Sequence, residues 1–153
     1  MPLTLVPTPI GNLEDITLRA LRVLRNADLI ACEDTRTSSV LLRRYHIAAS
    51  LVPFHLHNEK ECLPRLMGAL RAGKSVAVVS DAGTPGVSDP GWILLRSALD
   101  EGIEADVLPG PSALLPALLL SGLTPHPFLF LGFPPEKPGA RGELFQSLRG
   151  VPW

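Results

Sequence analysis

The segment Ser80–Gly91, Ser-Asp-Ala-Gly-Thr-Pro-Gly-Val-Ser-Asp-Pro-Gly, decides the predicted fold of this chain. It follows the β-branched run Ser75–Val79, which is typical of a buried strand, and it precedes Trp92–Leu95, where an apolar helical pattern begins. A long loop therefore lies at the carboxyl end of a predicted parallel strand, where ligands bind in open α/β sheets. Because its glycines allow close backbone approach and its prolines hold its shape, we expect a ligand-binding loop.

Strand-like and helix-like segments alternate along the chain. We predict strands at residues 3–6, 29–31, 75–79 and 104–108, and an extended piece at 51–55. The first helix is expected to begin near Asp15, with Leu18, Leu21 and Leu24 on one face, and the second near Ser38 or Ser39. Repeated β-α units of this kind predict a parallel sheet with helices on both faces.

A stiff turn at Pro109–Ser112 divides the chain. We expect an α/β domain at residues 1–108, a hinge at 109–112 and part of a second α/β domain at 113–153. The second part is expected to hold an apolar helix to Ser121, a strand at Phe128–Phe133 and a loop at Pro134–Gly142. Because about forty residues cannot bury a core alone, we interpret this part as the truncated start of a domain.

Composition limits the class of protein. The chain has 153 residues, 46% of them hydrophobic, and a net charge of −1, so it can bury a core and carries no global basic field. Cys32 and Cys62 form no CxxC pair, which predicts a reducing compartment and no structural zinc. The longest apolar run, Ala113–Leu120, is too short to span a bilayer and contains Pro116. We expect a cytoplasmic protein without a membrane segment.

Three loops follow predicted strands: Pro7–Asn12, Glu33–Thr37 and Asp81–Asp89. Parallel strands place all three at one edge of the sheet, so they can form a single cleft. No loop matches the P-loop or the G-x-G-x-x-G pattern, which argues against a phosphate cradle. The pattern favours a ligand held mainly by backbone groups, such as an adenosine-containing cofactor.

Several short motifs stand in one order along the chain. They are Thr8-Pro9-Ile10-Gly11-Asn12-Leu13, Glu33-Asp34-Thr35-Arg36, His55-x-His57-Asn58-Glu59, Ser80–Gly91, Leu108–Ala113, and Gly132-Phe133 with the loop 137–141. Together they resemble the bacterial small-subunit ribosomal RNA cytidine 2'-O-ribose methyltransferases, a branch of the tetrapyrrole-methylase superfamily. Pro7 departs from the pattern, since Gly or Ala usually stands there.

The resemblance implies a tetrapyrrole-methylase-like N-terminal domain that binds S-adenosylmethionine (SAM) in a cleft between two α/β domains, in a homodimer. The implied methyl acceptor is a cytidine 2'-hydroxyl of small-subunit ribosomal RNA, either free or in the assembled subunit. The implied cofactor-binding residues are Pro9, Asp81, Ala82, Gly83, Thr84, Val87, Ser88, Gly110, Ser112 and Ala113. The implied RNA-binding residues are Arg19, His55, His57, Asn58 and Glu59.

The second loop supplies candidate catalytic residues. Methyl transfer to a hydroxyl benefits from a nearby proton acceptor, and Asp34 and Glu33 are the nearest carboxylates, while Arg36 could bind a phosphate. Asp34 and Arg36 could equally form a loop ion pair or turn cap. His55 and His57 could contact RNA or make structural hydrogen bonds. No further His or Cys completes a metal site around them, so we expect none.

Two other functions stay open from the sequence. Related enzymes of the superfamily methylate tetrapyrrole carbons or, in the diphthine-type branch, a modified histidine of a translation factor. The Asp34-Thr35-Arg36 and His57-Asn58-Glu59 patterns favour the RNA branch. Alternatively, apolar surface on Ala113–Leu120 and Phe128–Phe133 would suit an inactive fragment that binds cofactor or dimerises. Offering ribosomal subunits, tetrapyrrole and translation factor as methyl acceptors would separate these functions.

Overall fold

The computed structural model describes residues 2–151. The chain forms two compact units, Met1–Ala113 and Leu114–Trp153. The first contains a five-stranded parallel sheet in the order β3-β2-β4-β1-β5. Its strands are β1 (Leu3–Leu5), β2 (Leu29–Cys32), β3 (Leu51–Pro53), β4 (Val76–Val79) and β5 (Ala105–Val107). The predicted parallel-sheet α/β fold is confirmed.

Helices cover both faces of the sheet. Helices α1 (Leu18–Asn26) and α2 (Thr35–Arg44) pack on one face, and α3 (Glu59–Arg71) and α4 (Trp92–Asp100) pack on the other. The central strand β4 shows the alternation, because Ala77 and Val79 join the first core cluster while Val76 and Val78 join the second. A strand buried on both faces accounts for the continuous apolar run in the sequence.

The order of the strands creates a crevice at one edge of the sheet. Strands β1 and β4 are neighbours, with Leu5 in register with Val78. The chain leaves β1 for helix α1 on one face, whereas it leaves β4 for helix α4 on the opposite face. The connections after these two strands therefore lead to opposite faces of the sheet, which makes this edge a topological switch point, where ligands bind in open α/β sheets.

The expected start of the first helix is wrong. Asp15 ends a short 3-10 helix, Leu13–Asp15, and α1 begins at Leu18. Thr17 caps α1, since its Oγ1 accepts a hydrogen bond from the Ala20 N–H at 3.0 Å. Of the apolar face expected for this helix, Leu21 and Leu24 are buried, whereas Leu18 is 85% exposed. A hydroxyl in the N-cap position satisfies a helical N–H that Asp15, two residues earlier, does not reach.

The expected cap of the second helix is also wrong. Asp34 is the N-cap of α2, with its Oδ1 accepting the Arg36 N–H at 2.8 Å. Ser38 is buried within the helix, and the Ser39 hydroxyl donates to the Thr35 carbonyl. A carboxylate is favoured at this position because it satisfies an N–H and opposes the helix dipole.

The second unit contains helices α5 (Leu114–Leu120) and α6 (Pro138–Ser147). The predicted strand at Phe128–Phe133 does not form, because the described residues of this unit contain no strand with which it could pair. The predicted loop 134–142 is interrupted when α6 begins at Pro138, a residue suited to the first turn of a helix. None of residues 114–151 is buried.

Candidate functional site

The loops after β1 and β4 are joined by hydrogen bonds at the carboxyl edge of the sheet. The Thr8 N–H donates to the Gly83 carbonyl, and the Gly83 N–H donates back to Thr8, both at 2.9 Å. The Thr8 hydroxyl also donates to the Ser80 carbonyl at 3.0 Å. The first and third predicted loops therefore meet through backbone contacts that hold Gly83 in place.

The loop after β2 joins the same group. The Asp34 N–H donates to the Asp81 Oδ1 at 3.1 Å, so one carboxylate connects the second loop to the third. The cavity among the three loops has a volume of about 40 Å³. It is lined by Thr8, Pro9, Leu13, Thr37, Ser38, Leu41, Ser80 and Asp81. This volume suits ordered water and is too small for a nucleoside.

Several side chains of the third loop face solvent beside this cavity. Asp81, Ala82 and Val87 are exposed, whereas Thr84 is half-buried. Ser88 has a φ of +65°, a left-handed conformation that costs a non-glycine residue on the order of 1–3 kcal/mol. Such conformations concentrate where a binding loop must keep one shape.

The turn before the second unit packs against the first loop. A Cβ added to Gly110 would lie 2.8 Å from the Cβ of Pro7, closer than such carbons approach. Glycine is therefore required at this position while Pro7 is present. The contact brings the turn beside the loop that contains buried Pro9, with Ser112 half-buried and Ala113 exposed.

Carboxylates gather at this edge. Burial raises the pKa of Glu33, and the negative charges of Asp81 and Asp89 raise it further. Burial is also the main cause of a raised pKa at Asp89, and Asp81 adds to it. These three side chains come from two loops and interact electrostatically, which makes the edge negative at neutral pH.

Asp34 lies in a different environment from Glu33. The guanidinium of Arg36 donates to both of its carboxylate oxygens, at 2.6 Å from Nη2 to Oδ2 and 3.1 Å from Nε to each oxygen. The side-chain hydrogen bonds from Arg36 are the largest cause of a pKa for Asp34 that is lowered to about 2. Of the two candidate proton acceptors, Glu33 is therefore the stronger base.

Two side chains of the His55–Glu59 segment bond to the backbone. The Asn58 Oδ1 accepts the His55 N–H at 2.7 Å, and its Nδ2 donates to the Pro53 carbonyl at 3.1 Å. Glu59 is only 6% exposed, and its Oε1 accepts the Gly91 N–H at 2.9 Å. The polar atoms of both side chains complete backbone hydrogen bonds, with Asn58 half-buried and Glu59 buried, and their expected contact with RNA stays a prediction.

The histidines are placed next to each other. The His55 and His57 ring centroids are 6.0 Å apart, with the rings edge to face. His57 is exposed, while His55 is half-buried. The His55 Nδ1 is buried and makes no hydrogen bond within the part of the chain that the structure describes. His57 is thus the member of this motif most accessible to a large ligand.

Arg19 pairs with Asp106 of β5. Both residues line a cavity of about 390 Å³ between α1 and the sheet. Its other lining residues are Thr4, Arg22, Val23, Asn26, Ala27, Ser75, Val76 and Ala77. This cavity shares no lining residue with the one among the loops, so Arg19 is not grouped with them.

Three contributors to the site were missed in the sequence. Thr8 and Ser80 join the loops, and Asp89 belongs to the carboxylate group. All three lie within quoted motifs, but a motif does not show which hydroxyl turns toward another loop. Among residues 2–151, no group of three or more His, Cys, Asp or Glu is arranged to hold a metal ion. No helix in that range is long and apolar enough to cross a membrane.

The sequence profile of the family Tetrapyrrole (Corrin/Porphyrin) Methylases matches residues 2–130, most of the chain. The chain belongs to this family. Three similar relatives each have the name "Ribosomal RNA small subunit methyltransferase I". They come from Mesorhizobium japonicum (55% identical over 98% of this chain), Streptococcus pyogenes serotype M3 (47% over 98%) and Thermotoga maritima (49% over 96%).

The chain spans about half the length of the curated relatives from Mesorhizobium and Streptococcus, 51% and 52%, and 66% of the Thermotoga relative. Among solved structures, it resembles the uroporphyrin-III-C-methyltransferase of Thermus thermophilus, with 29% identity, a TM-score of 0.60, and coverage of 80% of this chain and 52% of that one. A cobalt precorrin-4 methyltransferase, 20% identical with a TM-score of 0.61 over 78% and 50% of the two chains, shares the fold.

Proposed function

We propose that this chain is the cofactor-binding part of a SAM-dependent methyltransferase that modifies a cytidine 2'-hydroxyl of small-subunit ribosomal RNA. The observation that carries the proposal is the junction of the loops after β1, β2 and β4 at the switch point of a tetrapyrrole-methylase fold. The names of the relatives at 46–55% identity support ribosomal RNA as the substrate. A homodimer in the cytoplasm, without a metal, belongs to the same proposal.

The side chains at the loop edge fit the chemistry of SAM. Its sulfonium is a cation, and the carboxylates of Glu33, Asp81 and Asp89 supply a negative field at this edge. Exposed Ala82 and Val87 offer apolar contact for an adenine ring. We propose that the cofactor is held by Pro9, Asp81, Ala82, Gly83, Thr84, Val87, Ser88, Gly110, Ser112 and Ala113. The division of the chain into two domains at 109–112 belongs to the same proposal.

The reaction requires that the methyl group of SAM be aligned with the hydroxyl and that a group nearby accept the proton. When bound, SAM supplies the methyl group: its carbon–sulfur bond breaks as a carbon–oxygen bond forms, and the hydroxyl loses its proton. We assign the acceptor role to Glu33, because its raised pKa makes it a stronger base than Asp34. Asp34 and Arg36 then shape the start of α2, and the exposed face of Arg36 is available to an RNA phosphate.

Calorimetric titration with SAM and with S-adenosylhomocysteine tests the cofactor site. We expect saturable binding that weakens at least about tenfold in Asp81→Ala, since this change removes a charge and the link to the second loop. Asp81→Asn keeps an acceptor for the Asp34 N–H but removes the charge, so it separates the contribution of the charge from that of the hydrogen bond. Asp100→Ala, an exposed aspartate at the end of α4, is the matched control. No binding by the folded chain would contradict the cofactor assignment.

Methyl-transfer assays test the acceptor. Assembled small subunits, protein-free small-subunit RNA and a tetrapyrrole are offered with labelled SAM, and the Mesorhizobium relative serves as the positive control for the RNA substrates. We expect label in the ribosomal RNA, a large loss in Glu33→Gln and a smaller loss in Asp34→Asn. Label in the tetrapyrrole instead would favour the activity named for the Thermus structure.

A further inference from the structure

Glu59 is a buried carboxylate that connects two helices. It is the first residue of α3, yet its Oε1 accepts the N–H of Gly91, the residue that precedes α4, at 2.9 Å. The residue is 6% exposed. Because a carboxylate is rarely buried unless it is paired or hydrogen-bonded, this contact calls for a structural reason.

The start of α4 supplies that reason. Gly91 is the N-cap of α4 and has a φ of +126°, a conformation open to glycine and strained for other residues. It therefore cannot carry the Ser, Thr, Asp or Asn side chain that usually caps a helix, and the first turn of α4 contains no acidic residue. Glu59 supplies from α3 both the acceptor and the negative charge that this helix start lacks.

The same contact closes the loop 80–91 at its base. The Gly86 N–H donates to the Pro90 carbonyl at 3.1 Å. A Cβ added to Gly91 would lie 3.4 Å from Cγ1 of Val78 and 3.5 Å from the backbone nitrogen of Gly86, so the two ends of this segment lie close together. The other end of the loop is held by the Thr8–Gly83 pair. The Glu59 carboxylate holds the far end at Gly91, and Thr84, Val87 and Ser88 lie between the two points.

We propose that Glu59 is a positioning residue that sets the conformation of the cofactor loop through the Gly91 N–H. It does not touch the ligand. Its effect on affinity rests on the proposed function, whereas its effect on the loop does not. Glu59 of the His55–Glu59 motif thereby fixes the loop of the proposed SAM-binding edge from α3, on the same face of the sheet as α4.

Exchange of the Gly91 amide proton, followed by NMR without any ligand, tests the structural step. We expect Glu59→Ala to speed this exchange by at least about tenfold relative to the amides of β4, because the acceptor is lost. Glu59→Gln keeps an oxygen acceptor and should restore most of the protection. Glu61→Gln, two residues along α3 and exposed, is the matched control. Unchanged Gly91 exchange in Glu59→Ala would overturn the proposal.

The affinity for S-adenosylhomocysteine tests the functional step. We expect Kd to rise about tenfold in Glu59→Ala and less in Glu59→Gln, with no change in Glu61→Gln. Leu70→Val, in the core at the other end of α3, separates positioning from stability: it should lower Tm and leave Kd unchanged. If Leu70→Val weakens binding as much as Glu59→Ala does, Glu59 is merely structural and the proposal fails.

The Gly91 exchange rate and the Kd for S-adenosylhomocysteine also distinguish a failure of this proposal from a failure of the proposed function. If the wild-type chain does not bind S-adenosylhomocysteine, the proposed function fails, while Gly91 exchange still reports on the Glu59 contact. If Glu59→Ala does not fold, Glu59→Gln carries both measurements, with a modest rise in exchange and Kd expected. Equal exchange and equal Kd in a folded Glu59→Gln and the wild type, despite the lost charge, would overturn the role of that charge.

Discussion

The two units of the chain differ in how far their apolar side chains are buried. In the first, both faces of the sheet are covered, and residues such as Phe54 and Leu66 are fully buried. In the second, Leu120 is 87% exposed and Phe133 is 84% exposed, and none of residues 114–151 is buried. A similar apolar composition thus gives a core only where a sheet brings helices together on both faces. The first unit contains a buried core, and residues 114–151 contain none.

The largest expected effect compares one phenylalanine from each unit. Phe54→Ala removes a fully buried ring and should lower the free energy of unfolding by about 3–5 kcal/mol. Phe133→Ala removes an exposed ring and should change it by less than about 0.5 kcal/mol. Urea unfolding followed by the fluorescence or circular dichroism of the chain measures both. Comparable losses in the two variants would mean that the second unit also contributes to a core.

The next prediction concerns the turn at the end of the first unit. Gly110→Ala places a Cβ 2.8 Å from the Cβ of Pro7 and should cost about 1–3 kcal/mol, because a well-packed contact is overfilled. Pro7→Gly removes the opposing carbon, so the double variant should regain part of the loss despite the extra chain freedom of glycine. The measurement is a double-mutant cycle by thermal unfolding. Additive losses would show that the two residues do not oppose each other.

The loss of a helix cap is expected to lower the free energy of unfolding by a smaller amount. Thr17→Ala removes the hydroxyl that accepts the Ala20 N–H and should cost about 1 kcal/mol. Lys137 precedes α6 in the second unit without a side-chain capping bond, so Lys137→Ala should leave the unfolding free energy unchanged. Chemical denaturation of the two variants side by side checks this difference. An equal loss in Lys137→Ala would contradict the contrast between the units.

Most of the first unit could be predicted from the sequence because its signals are local. The run Val76–Val79 is apolar throughout, and a strand buried on both faces needs that pattern. Cap positions were harder, since Asp15, Thr17, Asp34 and Ser38 are all good capping residues and the choice among them depends on geometry. The strand expected at Phe128–Phe133 failed for another reason: a strand forms only with a partner, and partners are not a local property.

The candidate site likewise has features that could be predicted from the sequence and features that could not. The position of its loops follows from strand order, so their junction at one edge was predictable. The roles of single side chains were not. Glu59 stands in an exposed-looking polar motif, yet it is buried because Gly91, more than thirty residues later, needs an acceptor. Glu33 and Asp34 are adjacent in sequence, yet one has a raised pKa and the other a lowered one.

The smallest expected effect tests that last difference. Burial raises the pKa of Glu33 above its ordinary value of 4.5, so the folded state holds this proton more tightly than the unfolded state does. The resulting stability is fully present below about pH 4.5 and is lost as the pH rises through the raised pKa. Glu33→Gln cannot ionise, and we expect it to be more stable than the wild type at pH 7 but not at pH 4.

The size of this difference should stay below about 1 kcal/mol, because the Glu33 side chain is only partly buried and solvent screens its charge. Thermal unfolding of both proteins between pH 4 and pH 7 measures it, with Glu61→Gln as the control for a solvent-exposed glutamate. A variant that gains stability at neutral pH while it loses methyl transfer would show that the fold tolerates an unfavourable charge at its binding edge for the sake of the reaction. A wild type that is equally or more stable at pH 7 would remove the argument for Glu33 as the proton acceptor.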